Sequence, residues 1–310
     1  MKQTGLTENI RTILKIIPKS KLVFSAGTIF CSVGIARFWE LPIHWLEIGL
    51  VVLLCWIGIS TAFLLQLQIY RRQSTQHTLT FLSEPWGKIN NLGDLQPQKQ
   101  INLIIYFLFF LIPVLYLMIL RNLPRTSEIN FVFLIYIAMI LMNAFSGSSA
   151  AVGWFEEISD GILTILMPST FAYLVIRPGS PLVHTLAYAT PLFFGFLAFR
   201  FIQCLAAYDQ QVSFQPGAYP TLIRKGEFRF HHVIVGSIFL SLILFNQLGV
   251  HWRLLAPQLV LIPTWTYQIV LIEKIMKGMA PNWKLLGWLS LANLLLSLYL
   301  FLLPVWIWHF

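Results

Sequence analysis

Charged side chains are scarce in this chain of 310 residues. Asp, Glu, Lys and Arg together make up only 11% of the sequence, and only 12 residues are acidic. Hydrophobic residues account for 57%, and the mean hydropathy is +0.73. A water-soluble core cannot bury that much apolar surface. The composition therefore excludes a soluble protein and predicts an integral membrane protein.

Cysteine is almost as rare, since the chain has three, Cys31, Cys55 and Cys204. All three lie in apolar stretches with no CxxC motif or Cys/His cluster nearby, which argues against a disulfide framework and a zinc site. We predict that all three are packing residues. The histidines, His231 and His232 among them, show no repeated ligand spacing, so we predict that they lie at the membrane interface.

Long apolar runs are abundant, and a membrane-spanning helix needs about 20 apolar residues. The sequence predicts an all-α integral membrane protein, a single domain over 1–310. Residues 1–21 form an amphipathic helix that lies along the membrane surface or is an ordinary solvated lead-in. The nine predicted transmembrane helices cover 22–38, 46–69, 101–120, 130–146, 158–176, 182–207, 231–248, 253–273 and 284–308.

Basic residues are distributed unevenly between the two sides of these nine spans. Fifteen Lys and Arg residues fall on the side of the N-terminus and five on the other. The positive-inside rule predicts a cytoplasmic N-terminus and a C-terminus on the opposite side. It also explains the net charge of +9 without nucleic acid, because the basic residues lie between spans. Two long polar loops, after spans 2 and 6, are then both cytoplasmic.

Three polar segments carry partial motifs. A hydrophilic stretch, 201–226, contains Asp209 and ends in Gly217-Ala-Tyr-Pro-Thr-Leu-Ile-Arg-Lys-Gly226. The first long loop contains Glu84-Pro-Trp-Gly-Lys-Ile-Asn90. Between them, 145–157 ends in Glu157 and is followed by Tyr173-Leu-Val-Ile-Arg-Pro-Gly179. Together they resemble the UbiA superfamily of intramembrane prenyltransferases, most closely its menaquinone branch.

The resemblance implies a UbiA-like helical bundle, and it also implies where metal ligands are expected. In that family, carboxylates in two signatures bind Mg²⁺, which bridges them to a prenyl diphosphate. The corresponding positions of the first signature are Gln68, Arg72 and Gln76, and those of the second are Leu205, Asp209 and Ser213. Of the four aspartates expected, only Asp209 remains. We therefore expect no metal site and no cofactor, with Mg²⁺ only if the protein is an active enzyme.

Several charged residues have two interpretations. Arg72 either supplies positive charge in place of a metal or is an interfacial anchor. Lys88, Arg224 and Lys225 either complete a basic rim or face lipid phosphates. Arg200 lies within a span, where charged groups usually face a cavity or a partner.

Two further groups of polar residues are ambiguous. Glu156, Glu157 and Asp160 either hold a cation or accompany a helix N-terminus, and the resemblance places Glu157 near the aromatic acceptor. We expect the amides Asn143 and Gln203 to cross-link helices.

Three functions follow as hypotheses. The first is a non-catalytic protein that binds an isoprenoid, quinone or pigment in the membrane, or takes part in a membrane assembly with other proteins. The alternative is an active prenyltransferase that attaches an isoprenoid chain to a naphthoate or benzoate acceptor, with Asp209 as a catalytic metal ligand. The third, a small transporter, is opposed by the expectation that no span is interrupted, since Pro168 and Pro263 are isolated.

Overall fold

The computed structural model describes residues 17–73, 98–121, 127–146, 153–179, 182–212 and 221–307. Side chains are described within 17–69, 101–121, 127–145, 157–179, 182–206 and 228–306. The secondary structure assigned over these residues is helical. In chain order the helices are α1 (Lys19–Phe38), α2 (Trp45–Gln73), α3 (Gln98–Leu120), α4 (Ser127–Ser146), α5 (Gly153–Gly161), α6 (Met167–Ile176), α7 (Val183–Val212), α8 (Thr221–Gln247), α9 (Trp252–Leu255), α10 (Ile262–Met276) and α11 (Trp283–Ile307).

Nine of the resulting helical stretches, counted over the described residues, are long and apolar enough to cross a membrane. This confirms the predicted number of spans and places each within a few residues of its predicted bounds. Large apolar side chains are exposed along these helices, for example Leu103, Tyr106, Phe107 and Phe110 on α3. Such an outer surface suits contact with lipid tails, whereas the surface of a soluble protein is in contact with water.

The helices are longer than the apolar runs at the two predicted cytoplasmic loops. Helix α2 continues to Gln73, α7 to Val212, and α8 already begins at Thr221. Gln, Lys and Arg are good helix formers, so a helix can continue beyond the apolar region. The predicted lead-in lies largely outside the described residues, but its last three positions belong to α1.

Two spans change helix type along their length, although each remains one continuous helical stretch. Between α5 and α6 the segment Ile162–Leu166 is a π-helix, and the N–H of Met167 bonds to the carbonyl of Ile162. Pro168 has no N–H, so the α-helical bond to the carbonyl of Thr164 cannot form. Between α9 and α10 the segment Ala256–Leu261 is a 3₁₀-helix, and Pro263 follows in the first turn of α10.

The chain divides into two compact units. The first unit contains the described parts of Met1–Ala26 and Trp45–Pro168. In it, Tyr136 of α4 donates its hydroxyl to the carbonyls of Leu54 and Cys55 on α2, at 3.1 and 3.2 Å. Gly58 makes room for the ring, because a Cβ there would lie 1.8 Å from the Tyr136 hydroxyl oxygen.

The second unit contains Gly27–His44 and the described parts of Ser169–Phe310. Its core brings α7, α8, α10 and α11 together: Phe201 and Ile202 pack with Phe228, Ile272 and Leu286. The last part of α1 also belongs here, and a Cβ on Gly34 would lie 2.4 Å from Cγ1 of Val305 on α11. The prediction of a single domain stays a prediction.

Cys31 and Cys55 are buried thiols, which agrees with their predicted role in packing. Cys204 is also a thiol and is partly buried.

Candidate functional site

The first expected ligand position, Gln68, is a contact between helices. Its Nε2 donates a hydrogen bond to Oδ1 of Asn102, which joins the C-terminal part of α2 to the start of α3. Phe63, Leu64 and Leu67 of α2 pack against Ile105 of α3 beside this bond. Gln68 is thus held in place by a neutral amide pair.

The remaining predicted positions are described only in part. Arg72 lies in the last turn of α2, Asp209 near the end of α7, and Arg224 and Lys225 in the first turns of α8. Their side chains, together with residues Gln76, Lys88 and Ser213, lie outside the described residues.

Arg200 lies on α7 within a candidate span. Its Nη1 donates to Oε1 of Gln203 at 3.0 Å, one turn further along the same helix. In this contact Gln203 bonds within its own helix, and so does not act as the cross-link between helices that we expected. A neutral oxygen close to the guanidinium is one way to lower the cost of placing charge in a span.

A group of buried polar side chains surrounds the start of the fifth span. Lys21 of α1 donates from Nζ to Oδ1 of Asp160 at 2.7 Å, and the two side chains are only 13% and 3% exposed. Both charges lie within candidate spans. The pairing is favourable because an isolated charge in this setting is very costly. Glu157 is nine-tenths buried one turn earlier on the same helix.

The same group includes neutral polar residues. Asn143 of α4 donates from Nδ2 to Oγ of Ser159 at 3.2 Å, which confirms the predicted amide cross-link at this position. Thr164, fully buried, follows in the π-helix. We call Lys21, Asn143, Glu157, Ser159, Asp160 and Thr164 the charged cluster.

The described residues do not fit Mg²⁺. In the parts of the chain with described side chains, no three His, Cys, Asp or Glu residues lie together as a metal site requires. Mg²⁺ takes oxygen ligands, usually including carboxylates. The family has an asparagine at the position of Gln68, and here the amide nitrogen of Gln68 donates to Asn102. Asp160, which the sequence grouped with Glu156 and Glu157 as a possible cation site, is paired with Lys21.

A second group of buried polar residues lies in the last three spans. Nε2 of Gln268 on α10 donates to Nε2 of His231 on α8 at 3.0 Å, and Nδ2 of Asn293 on α11 donates to Oε1 of Gln268 at 3.2 Å. All three side chains are at most 1% exposed. His231 is therefore buried between helices, three residues after the start of its candidate span, and its position at the membrane interface stays a prediction.

One amide of this group lies in the 3₁₀ segment of the eighth span. Gln258, in the 3₁₀-helix, donates to the carbonyl of Ser297 at 2.7 Å, and the Ser297 hydroxyl donates to Oε1 of Gln258 at 2.6 Å. Ser290 is also fully buried on α11. We call His231, Gln258, Gln268, Ser290, Asn293 and Ser297 the polar seam; in the neutral state of His231 it carries no formal charge.

Neither group was assembled from the sequence. Lys21 was placed in a surface lead-in, and the polar residues of α11 were not considered. A usable signal was present for the latter, since Ser290, Asn293 and Ser297 are spaced by three and four residues and so share one face of a helix. No comparable signal connects them to His231 or Gln268 on other helices.

No protein-family model, curated protein or solved structure matches this chain. The UbiA resemblance therefore remains a prediction from the quoted motifs.

Proposed function

We propose that this protein binds a neutral isoprenoid-type lipid in the membrane and does not catalyse reactions of prenyl diphosphates. The bound molecule would be a quinone, or a pigment or similar lipid with an isoprenoid tail. The observation that carries the proposal is the loss of carboxylates at the positions where the resemblance expects Mg²⁺ ligands, since of the four expected aspartates only Asp209 remains.

Charge distribution supports the same proposal. Ionisation of a prenyl diphosphate requires cations that neutralise the leaving group, and Mg²⁺ does so through shared carboxylate and phosphate oxygens. The chain has no Asp or Glu between Ser60 and Ser83, around the first signature. In the second signature Asp209 is the one carboxylate at the three expected positions. A single Asp near Arg and Lys residues would hold Mg²⁺ weakly.

The composition supports a lipid ligand. Phe, Trp and Tyr make up 15% of the chain. Large apolar side chains lie both in the core between the helices and on their exposed faces. Such surroundings can pack against a long hydrocarbon chain through van der Waals contacts, without requiring any charged contact.

The test is to purify the protein in mild detergent and analyse its lipid extract by mass spectrometry. In parallel, binding of farnesyl diphosphate is measured with and without Mg²⁺. We expect a stoichiometric neutral isoprenoid and no effect of Mg²⁺. Diphosphate binding that depends on Mg²⁺ and is lost in Asp209→Asn would instead overturn the proposal and favour the prenyltransferase alternative, which prenyl transfer to a naphthoate or benzoate acceptor would then test.

A matched control separates a specific role of Asp209 from a general effect of charge. Glu128, in the first turn of α4, is exposed, so Glu128→Gln removes one negative charge away from both signatures. If Asp209→Asn and Glu128→Gln leave the extracted lipid unchanged, the retained carboxylate is not needed for binding.

A further inference from the structure

The polar seam contains a chain of three hydrogen-bonded side chains with a defined direction. The Gln268 amide nitrogen is a donor, so Nε2 of His231 must be the acceptor, and the hydrogen of the neutral ring is on Nδ1. The Gln268 oxygen in turn accepts from Asn293. The chain therefore ends in a donor at His231 and an acceptor, Oδ1, at Asn293.

Both ends of this hydrogen-bond chain are incomplete, because Nδ1 of His231 also has no partner among the described residues. Within the described part of the protein, neither Oδ1 of Asn293 nor Oγ of Ser290 has a hydrogen-bond partner, although both atoms are buried. Buried polar groups in proteins are nearly always hydrogen-bonded, because losing water without a replacement is costly. The cost is most acute among apolar helices in a membrane.

Ser290 and Asn293 are three residues apart on α11, so their side chains are neighbours on one face of the helix. Between them they offer an acceptor oxygen and a hydroxyl that can donate. One small group that both donates and accepts would satisfy the two atoms together. A hydroxyl group does this, whereas a ketone or ether only accepts and leaves the Asn293 oxygen unpaired.

We propose that Ser290 and Asn293 bind the hydroxyl group of a lipid alcohol. The ligand hydroxyl donates to Oδ1 of Asn293 and accepts from Oγ–H of Ser290. Because the described side chains of the polar seam offer no cation, the site suits a neutral group and disfavours phosphate or carboxylate. This inference rests on the proposed function and narrows it to lipids that carry a hydroxyl group, such as a quinol or a hydroxylated pigment. An oxidised quinone has only accepting carbonyls and would not satisfy the site.

Gln268 and His231 are positioning residues in this site. By accepting from Gln268, His231 orients the Gln268 amide. That amide in turn orients Asn293, whose oxygen then lies at the free end of the hydrogen-bond chain. The arrangement selects a ligand that donates a hydrogen bond. Reversing the chain would present the Asn293 NH₂ group and favour a ligand that only accepts.

The test compares binding of two probes, farnesol and farnesyl methyl ether, to the purified protein in lipid nanodiscs. Wild-type protein should bind farnesol about tenfold more tightly, since the ether cannot donate to Asn293. Asn293→Leu and Ser290→Ala should each weaken farnesol binding about tenfold and change ether binding less. Equal affinity of wild-type protein for the two probes would overturn the inference.

A second readout tests the positioning role. Nitrogen NMR of labelled histidine should show His231 neutral, with its hydrogen on Nδ1. His231→Phe should reduce the preference for farnesol over the ether while the protein still binds both. His231→Gln, whose oxygen can accept from Gln268, should restore part of that preference. An unchanged preference in His231→Phe would contradict the positioning role.

Gln258→Leu is the matched control, because it removes the two hydrogen bonds between Gln258 and Ser297 and leaves the Ser290 and Asn293 end of the polar seam intact. It should bind farnesol like the wild type. Ser290→Ala is the smaller change, so it keeps the inference testable should Asn293→Leu fail to fold. Wild-type affinity in both Ser290→Ala and Asn293→Leu would mean that buried water completes the seam, and would overturn the inference.

The two proposals fail in different ways. A wild-type protein that holds a neutral isoprenoid but does not discriminate between the probes disproves only the hydroxyl site. A protein that holds no isoprenoid disproves the proposed function, and dodecanol then replaces farnesol as the probe. Loss of dodecanol binding in Ser290→Ala would support the hydroxyl site, and unchanged binding would overturn it.

Discussion

The charged cluster of the first unit and the polar seam of the second bury polar groups in different ways. The cluster contains an ammonium and a carboxylate that neutralise each other at 2.7 Å. The bonds described in the seam join amides, hydroxyls and an imidazole. The ion pair of the cluster is complete in itself, whereas the unpaired atoms of the seam are neutral and can be satisfied by a neutral group of a ligand. The seam is therefore the better place for an exchangeable ligand.

The largest expected effect is on the charged cluster. Asp160→Ala would leave the Lys21 ammonium buried without its carboxylate and lower the free energy of unfolding by about 3–5 kcal/mol. Unfolding in mixed detergent micelles measures this. The double variant Lys21→Met with Asp160→Leu should recover most of the loss, since apolar side chains often replace a buried ion pair without cost. A loss below about 1 kcal/mol in Asp160→Ala would mean that the pair is effectively solvated.

The close packing of α2 against α4 gives the next largest effect. Gly58→Ala would place a methyl group in the space of the Tyr136 ring and lower the free energy of unfolding by about 1–3 kcal/mol. The same unfolding assay applies. Gly49→Ala in the same helix is the control, because apart from Gly49's chain neighbours and the adjacent backbone of α2, no atom of the described residues lies within 4 Å of the place that its Cβ would occupy. A smaller side chain, in Tyr136→Leu, should relieve part of the Gly58→Ala loss, and no relief would contradict this explanation.

Breaking one neutral pair in the seam should cost less than breaking the ion pair. Gln258→Leu removes two hydrogen bonds with Ser297, and buried polar pairs in membrane proteins contribute about 0.6 kcal/mol on average and about 1.7 at most. A double-mutant cycle with Ser297→Ala measures the coupling through the hydroxyl. If the coupling energy between Gln258 and Ser297 were as large as that between Lys21 and Asp160, the polar seam and the charged cluster would not differ in the way that we describe.

The smallest effect is expected at Gly195 of α7. A Cβ there would lie 3.4 Å from Cδ1 of Leu294 and 3.8 Å from Cζ2 of Trp265, which are ordinary contact distances. Gly195→Ala should leave the free energy of unfolding unchanged or raise it by up to about 1 kcal/mol, because Ala favours the helix. Thermal unfolding would detect the shift. A clear loss of stability would show that the second unit is packed as tightly here as the first is at Gly58.

The spans were predictable because their signal is local. About 20 consecutive apolar residues suffice to cross a membrane, and each of the nine runs contains them within one stretch of chain. The π-helical and 3₁₀ segments were less predictable. Pro168 and Pro263 were visible, but an isolated proline does not specify whether the helix kinks, adopts a π turn or tightens into a 3₁₀ segment.

The candidate sites depended on contacts that no local pattern specifies. Phe230-His-His resembles an interfacial belt in the sequence, yet His231 is buried against Gln268, 37 residues away. Lys21 resembles a surface anchor, yet it pairs with Asp160, 139 residues away. Asn143 was predicted correctly as a cross-link, because a lone amide in a span has few alternatives to a bond with another helix.

The sequence by itself determined that this is a helical membrane protein with nine candidate spans, because in lipid each backbone N–H and C=O must be bonded internally and a helix does so locally. Tertiary structure alone decided which polar side chains meet. A hydrogen bond or ion pair needs two atoms within about 3 Å, and only the packing of distant helices brings Lys21 to Asp160 or Asn293 to Gln268.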